Sequence, residues 1–540
     1  MKKLFSFLLI FLTIITMTGC KRIIILKDDA PSITNTNKIG SFVKKMDLEF
    51  NNITFKNQLN ETLDKIMDAK DYSELDEALY PILNKVTSLF KKYSIADALT
   101  NYDPNNSEYK EKYEILRDSY YDYEDFYNKL IVEVGKNDDF ITQFFSGYSE
   151  EDIKFEIELA RKKQDDNYIT LRKELDDIEK KADRIGISFS DGSKDDELLE
   201  LMLEFVSKNK QLAAILGYDS YIEYADINYS RSYLKEDVDD FINYTKTYLV
   251  PLMDNNGYFV DAKGIYNTLS TKEKNYFSEL FYSSVYDTDY KTINLLNDYA
   301  IAMGNSYYST FRQYTANGNY IYAGNEDSTA GAYSNKYITY FGPGYQDATS
   351  VAHEFGHFYS FTNSYINTKS LDLKEFYSQA NEYLFTSYLE HNAPKNVENV
   401  YNAKGKIEVG DTCRTIVIAS ALREFEERLY SQTLTDKEDI VDIWNTINNN
   451  YYNGVLLPYW KAEIRYDIYY ISYGTSATGA LGLYSISKDS FKSAKNKYMS
   501  AAKNNNIDDD INEVLQKAGL LSPFDEEVFK NIVKLLKEEW

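Results

Sequence analysis

The sequence predicts a mainly α-helical fold interrupted by one short β-rich stretch. Three observations carry that reading. Apolar residues return at three- and four-residue steps, as in Leu59, Leu63, Ile66 and Met67, and again in Leu79, Ile82, Leu83 and Val86. That spacing lines one face of a helix. Runs of alternating charge, such as Ile157 to Arg184, read as solvated outer helix faces with no binding role. Only between Gly318 and Gly344 does the texture change. There Tyr320-Ile321-Tyr322 and Lys336 to Phe341 are β-prone, short and flanked by glycines.

The first nineteen residues read as a signal peptide. Lys2-Lys3 make a basic start, Leu4 to Met17 is an apolar run too short for an ordinary membrane span, and Thr18-Gly19 precede Cys20. The segment resembles a bacterial lipoprotein signal, cut before a cysteine that becomes lipidated, although Met17 stands where Leu is usual. An uncleaved anchor or a plain secretory signal is the alternative. The lipoprotein reading predicts a lipid anchor at Cys20 on the outer side of the cytoplasmic membrane. Residues 20–40 then form a tether, polar except for Ile23 to Leu26.

Helical patterning fills residues 41–190 and is broken at Asn101 to Asn106, around Pro104. The polar stretch Ser188 to Lys194 marks the boundary with a second domain, 191–540. Within that domain Gly331-Ala332-Tyr333-Ser334 separates the two β-prone segments, and Gly342-Pro343-Gly344 is a turn. Such a small sheet either offers a free edge to an extended peptide or is a structural hairpin.

At 540 residues, 43% hydrophobic and 27% charged, the chain is globular and buries a large core. A net charge of −25 argues against nucleic acid, whose phosphates need a basic surface. A peptide site remains compatible, because local and global fields differ. The two cysteines imply no disulfide: Cys20 carries lipid and Cys413 is a core thiol.

The chemistry gathers at His353-Glu354-Phe355-Gly356-His357, which holds two of the three histidines. Positions i and i+4 share a helix face, so both imidazoles can meet one metal ion. Glu354 can approach a water on that metal without ligating it. Gly356 costs a helix about 1 kcal/mol relative to Ala, which points to close packing, to room for a ligand, or to nothing more than tolerance. The plain alternative is a surface helix that happens to carry two histidines. His391, beside Glu390 and Asn392, reads as a surface residue.

A catalytic zinc site needs a third protein ligand and an open position. The metzincin pattern fails, because Ser360 and Asn363 stand where Gly and His are required. The thermolysin pattern fits poorly, because Phe385-Thr386 follow Asn381-Glu382 in place of Ser-Asp. The helix Glu375-Phe376-Tyr377-Ser378-Gln379-Ala380-Asn381-Glu382 resembles the ligand helix of the thimet oligopeptidase and oligoendopeptidase F family. Gly331 to Ser334, Tyr337 to Tyr340, Asp347, Gly217-Tyr218 with Tyr221, and Ala518 to Phe524 are similar to that family too.

The resemblance spans roughly Lys208 to the C-terminus and implies two helical halves around a deep channel, with zincin-type helices and a small β-sheet beside them. It implies one Zn²⁺ per chain, held by His353, His357 and Glu375, with Glu382 and Asp347 as supporting carboxylates. Glu382 lies two turns beyond Glu375 on the same face, and by pattern alone either is a possible ligand. Glu354 is the implied base. Tyr470 and Tyr473 match tyrosines that donate to the oxyanion, and Tyr466 is a third candidate. Aromatic core packing is the alternative for all three. The implied substrates are oligopeptides.

Two departures stand out. No histidine is available near Lys461 and Glu463, where the family has one, and Lys461 to Arg465 lacks the family's glycines. They motivate a rival reading, a lipoprotein that binds peptides on a zincin scaffold without cutting them.

Overall fold

Short polar side chains start the N-terminal helices by accepting amide protons left free in a first turn. Asn51 accepts from Thr54 N at 2.8 Å to open α1 (Asn52–Asp68), and Asp71 accepts from Glu74 N at 3.0 Å to open α2 (Tyr72–Tyr102). Asn106 opens α3 (Ser107–Val134), and Ser149 with Asp152 forms a capping box at α4 (Glu150–Lys162). The expected break at Asn101 to Asn106 separates α2 from α3. The run Ile157 to Arg184 is two helices, not one: α4 ends at Lys162 and α5 (Asp166–Ile185) begins after a turn. The computed structural model describes residues 36–539 apart from 147, 186–191, 286–291, 317, 326, 363–367, 393–396, 453–457, 465–466 and 504–508. The signal segment, Cys20, most of the tether, part of the expected boundary at Ser188 to Lys194 and Tyr466 therefore lie outside the described residues.

The chain forms two compact units, the first built from residues 36–172 together with Tyr314–Tyr345. Its main core joins Leu59 and Ile66 of α1, Leu79, Ile82 and Val86 of α2, and Leu116, Tyr123 and Leu130 of α3. Leu63 and Leu83 pack at the rim of this core, whereas Met67 of the same apolar stripe is exposed. The unit also holds a four-stranded mixed sheet of order β1-β2-β4-β3. β1 (Lys38–Ile39) runs antiparallel to β2 (Tyr320–Tyr322), with Lys38 opposite Tyr322. β2 is parallel to β4 (Thr339–Phe341), and β3 (Ala332–Ser334) closes antiparallel on β4. Lys38 and Ile39, expected in the tether, are thus an edge strand. Tyr333 donates to Asp97 Oδ2 at 2.7 Å and Tyr340 to the Asn101 carbonyl at 3.0 Å, tying the sheet to α2.

The second unit comprises Lys173–Gln313 and Gln346–Trp540. Its helices include α6 (Asp195–Leu216), ended by Gly217 at φ +85°, and α7 (Tyr221–Asn228), capped by Ser220. Four more carry its centre: α8 (Ala348–Thr362), α9 (Leu371–Asn392), α10 (Glu398–Ser431) and α11 (Tyr470–Asp489). Every residue of α9 from Leu371 to Ser387 is buried, as is every residue of α11 from Tyr470 to Leu481. Buried charged side chains are the informative exceptions in such helices, and α9 carries Asp372, Lys374, Glu375 and Glu382. Cys413 is a buried free thiol on α10. No described helix is long and apolar enough to cross a membrane. The architecture is mainly helical with one small mixed sheet, as the sequence predicts.

Candidate metal centre

Asp347 caps α8, accepting from Thr349 N at 2.9 Å and Ser350 Oγ at 2.9 Å. The carboxylate expected to support the ligands therefore acts at the start of the helix that bears them. One and a half turns on, His353 is 1% exposed and His357 2%. A surface helix is excluded by that burial.

Gly356, between them, marks the crossing with α9. A Cβ there would stand 2.6 Å from Ser378 Cα and 2.8 Å from the Tyr377 carbonyl oxygen. The glycine lets two backbones touch, which resolves its three possible readings in favour of close packing. A second tie reinforces the crossing. Asn381 Nδ2 donates to the Ala352 carbonyl at 2.6 Å, and Asn381 Oδ1 accepts from the hydroxyls of Tyr299 and Tyr307.

This crossing brings three donor groups together. His357 Nε2 and His353 Nε2 are 3.2 Å apart. Glu375 Oε2 lies 3.7 Å from His357 Nε2 and 4.0 Å from His353 Nε2. All three ligand atoms fall within 4.8 Å of one another. Burial, with His353 and Lys374 nearby, pushes the His357 ring well below the usual imidazole range and keeps it neutral, the form that ligates a metal. Glu382 Oε1 meets His353 Nδ1 at 2.5 Å, fixing the tautomer that turns Nε2 toward the other donors. Two imidazoles and one carboxylate, buried and convergent, fit the three-ligand set of a catalytic zinc site.

Glu354 is 1% exposed on the same helix. Tyr470 and Tyr473 sit buried in the first turn of α11, with ring centroids 6.1 Å apart, and Gln379 Nε2 of α9 donates to the Tyr473 carbonyl at 3.5 Å. A residue the sequence did not single out, Tyr469, also reaches the donor group, its hydroxyl donating to Glu375 Oε1. Sequence reasoning passed over Tyr469 because tyrosines at 466, 469, 470 and 473 permit more than one register. Asn381 falls within the helix that carries the family resemblance, but the sequence assigns it no role of its own. Lys461, near the place of the absent histidine, pairs with Asp195 at 2.6 Å, and Glu463 is wholly buried. His391 is exposed, and its Nδ1 bonds the Ser387 carbonyl at 2.9 Å.

Fold and site together define a class: a mainly helical chain whose HExxH helix crosses a second helix bearing a convergent glutamate. Solved structures share this fold. A structure of PZ peptidase A with an inhibitor superposes with a TM-score of 0.66 at 14% identity, covering 92% of this chain and 99% of its own. A protein described as an oligoendopeptidase F from Bacillus anthracis str. Ames gives 0.65 at 15% identity, covering 93% and 98%. Oligoendopeptidase-F from Enterococcus faecium gives 0.50 at 14% identity, covering 90% and 96%. No family model matches the sequence, and no curated protein does.

Proposed function

We propose that the chain is a zinc-dependent endopeptidase that hydrolyses short or unfolded peptides, held by a lipid at Cys20 outside the cytoplasmic membrane. The observation that supports the chemistry is the buried convergence of His353, His357 and Glu375, with Glu382 on the far nitrogen of His353. The fold shared with proteins named PZ peptidase A and oligoendopeptidase F supports the substrate class. The basic, apolar and small-residue run ending at Cys20 supports the location.

In this reading His353, His357 and Glu375 hold the zinc ion. A bound zinc polarises the scissile carbonyl and acidifies water. Glu354 accepts the proton of the attacking water and returns it to the leaving amine nitrogen. A tyrosine hydroxyl, from Tyr470, Tyr473 or Tyr466, donates to the carbonyl oxygen as it gains charge. A phenol suits that task because it stays protonated near neutral pH. Glu382 holds the His353 ring in place throughout.

The test is cleavage of a mixed peptide library by protein lacking residues 1–20, with and without chelator, read by mass spectrometry. Chelator-sensitive cuts at internal bonds are expected. Binding of peptides with no product, on protein shown to be zinc-loaded, would sink the proposal and leave a peptide-binding lipoprotein in its place.

A further inference from the structure

Ile468 has φ +53°, in the left-handed region that a β-branched residue almost never adopts. Strain of that kind persists only where the surroundings enforce it. Among the groups that hold this turn is Arg231, 5% exposed, which follows Ser230, itself at φ +53°, just past the end of α7.

The Arg231 guanidinium joins four places in the second unit. Nη2 donates to the Ile468 carbonyl at 2.7 Å. Nε and Nη2 donate to Ser472 Oγ in the first turn of α11, at 3.0 and 2.8 Å. Nη1 donates to Asp226 Oδ1 of α7 at 2.8 Å, and Asp226 is braced in turn by Arg423 of α10 at 2.6 Å. Nε also faces Asp372 Oδ1 at 3.7 Å, one turn before Glu375 on α9. One planar fork therefore registers the start of the ligand helix against the turn that delivers Tyr469.

We infer that Arg231 is a positioning residue of the metal centre, acting through Ile468 and Tyr469 to fix which oxygen of Glu375 faces the histidines. The Tyr469 hydroxyl donates to Oε1, while Oε2 is the atom 3.7 Å from His357 Nε2. A phenol donating to one oxygen holds the carboxylate's rotation, and so keeps Oε2 as the oxygen turned to the histidines, where it would meet a metal. This arrangement supplies to Glu375 the kind of support that Glu382 supplies to His353. The inference rests on the proposed zinc site and assigns Arg231 no contact with substrate.

The experiment measures zinc affinity of the full chain by chelator competition, for wild type, Tyr469→Phe, Arg231→Lys and the double variant. Tyr469→Phe is expected to weaken zinc by roughly 10–100-fold, the usual effect of removing a group that supports a ligand. Arg231→Lys keeps the charge but not the fork. It is expected to weaken zinc in the wild-type background and to add nothing where Tyr469 is already Phe, since the two act as a unit. Circular dichroism and thermal unfolding check the fold. If Arg231→Lys does not fold, Ser472→Ala takes its place in the same cycle. Zinc-binding wild type with no loss in Tyr469→Phe, or with equal Arg231 losses in both backgrounds, overturns the inference alone. A wild-type chain that holds no zinc overturns the proposed function and this inference with it.

Discussion

Glu354, Glu375 and Glu382 are three buried carboxylates on two crossing helices, and the proposed chemistry asks something different of each. Glu354→Gln should retain zinc and lose about 10²–10⁴-fold in peptide cleavage, because an amide cannot accept a proton from water. Metal analysis beside a turnover assay checks both halves, and near-normal turnover on loaded protein would remove Glu354 from the mechanism. Glu375→Gln should lose zinc at chelator concentrations that leave Glu382→Gln mostly loaded, since a ligand matters more than the group orienting one. Metal content after identical dialysis decides it, and the reverse order would exchange the two roles. At this scale the sequence was informative where spacing restricts geometry. His353 and His357 were readable because four residues is about one helical turn, whereas Glu375 was readable only through the resemblance of its helix to a known ligand helix, since by pattern alone Glu382 was an equal candidate. Tyr469 was not, since clustered tyrosines satisfy core packing and catalysis equally well. Nor was Arg231, whose partners Ile468 and Ser472 lie 237 and 241 residues away in the chain.

The α8 and α9 pair shows how an element can be legible for the wrong reason. Both are buried on almost every side, so neither has the amphipathic stripe that marked α1 and α2. They were found through their motifs. Their crossing depends on Gly356. Gly356→Ala would improve intrinsic helix propensity by about 1 kcal/mol, yet the new methyl collides with backbone rather than with a side chain able to swing away. A net destabilisation of about 1–3 kcal/mol is expected in denaturant titrations, and a stabilised protein would show that the helices separate freely.

A second element-level prediction concerns α10 and the segment leading into α11. Burial pushes the carboxyl of Glu426 up to about 7 and that of Asp467 to about 6, and burial with both neighbours raises Glu463 well above the usual range. In the unfolded chain such groups ionise near pH 4. Between that pH and the raised values the folded chain holds more protons than the unfolded one, so this cluster's contribution to stability falls as pH rises. Glu463→Gln should therefore raise the melting temperature more at pH 8 than at pH 5. A gain independent of pH would show that the cluster does not titrate as a buried group.

At the scale of the whole molecule, the predominance of helix and the small sheet were readable from periodicity and from β-prone tyrosines. The partnership of that sheet was not, because no local pattern tells Lys38–Ile39 that its partner strand begins at Tyr320. The proposed location outside the membrane concerns the entire chain and rests on the reading of Cys20. Cys20→Ser should release the protein into the soluble fraction or leave its precursor unprocessed. A wild-type protein that takes up no labelled fatty acid would end the lipoprotein reading.

The split composition of the first unit has a consequence for the order of synthesis. Val43, Ile95 and Leu99 are made early, but they pack against Ile321, Tyr333, Ile338 and Tyr340, which emerge from the ribosome only after residues 173–313. Contacts of such sequence separation form late, after the entropy of closing a long loop has been overcome. A nascent chain stalled anywhere before Tyr314 carries an uncovered apolar face on α2 and a β1 with no neighbour. A fragment ending at residue 190 carries the same defect permanently, and its amides around Ile95 should exchange with solvent far faster than those of the finished protein.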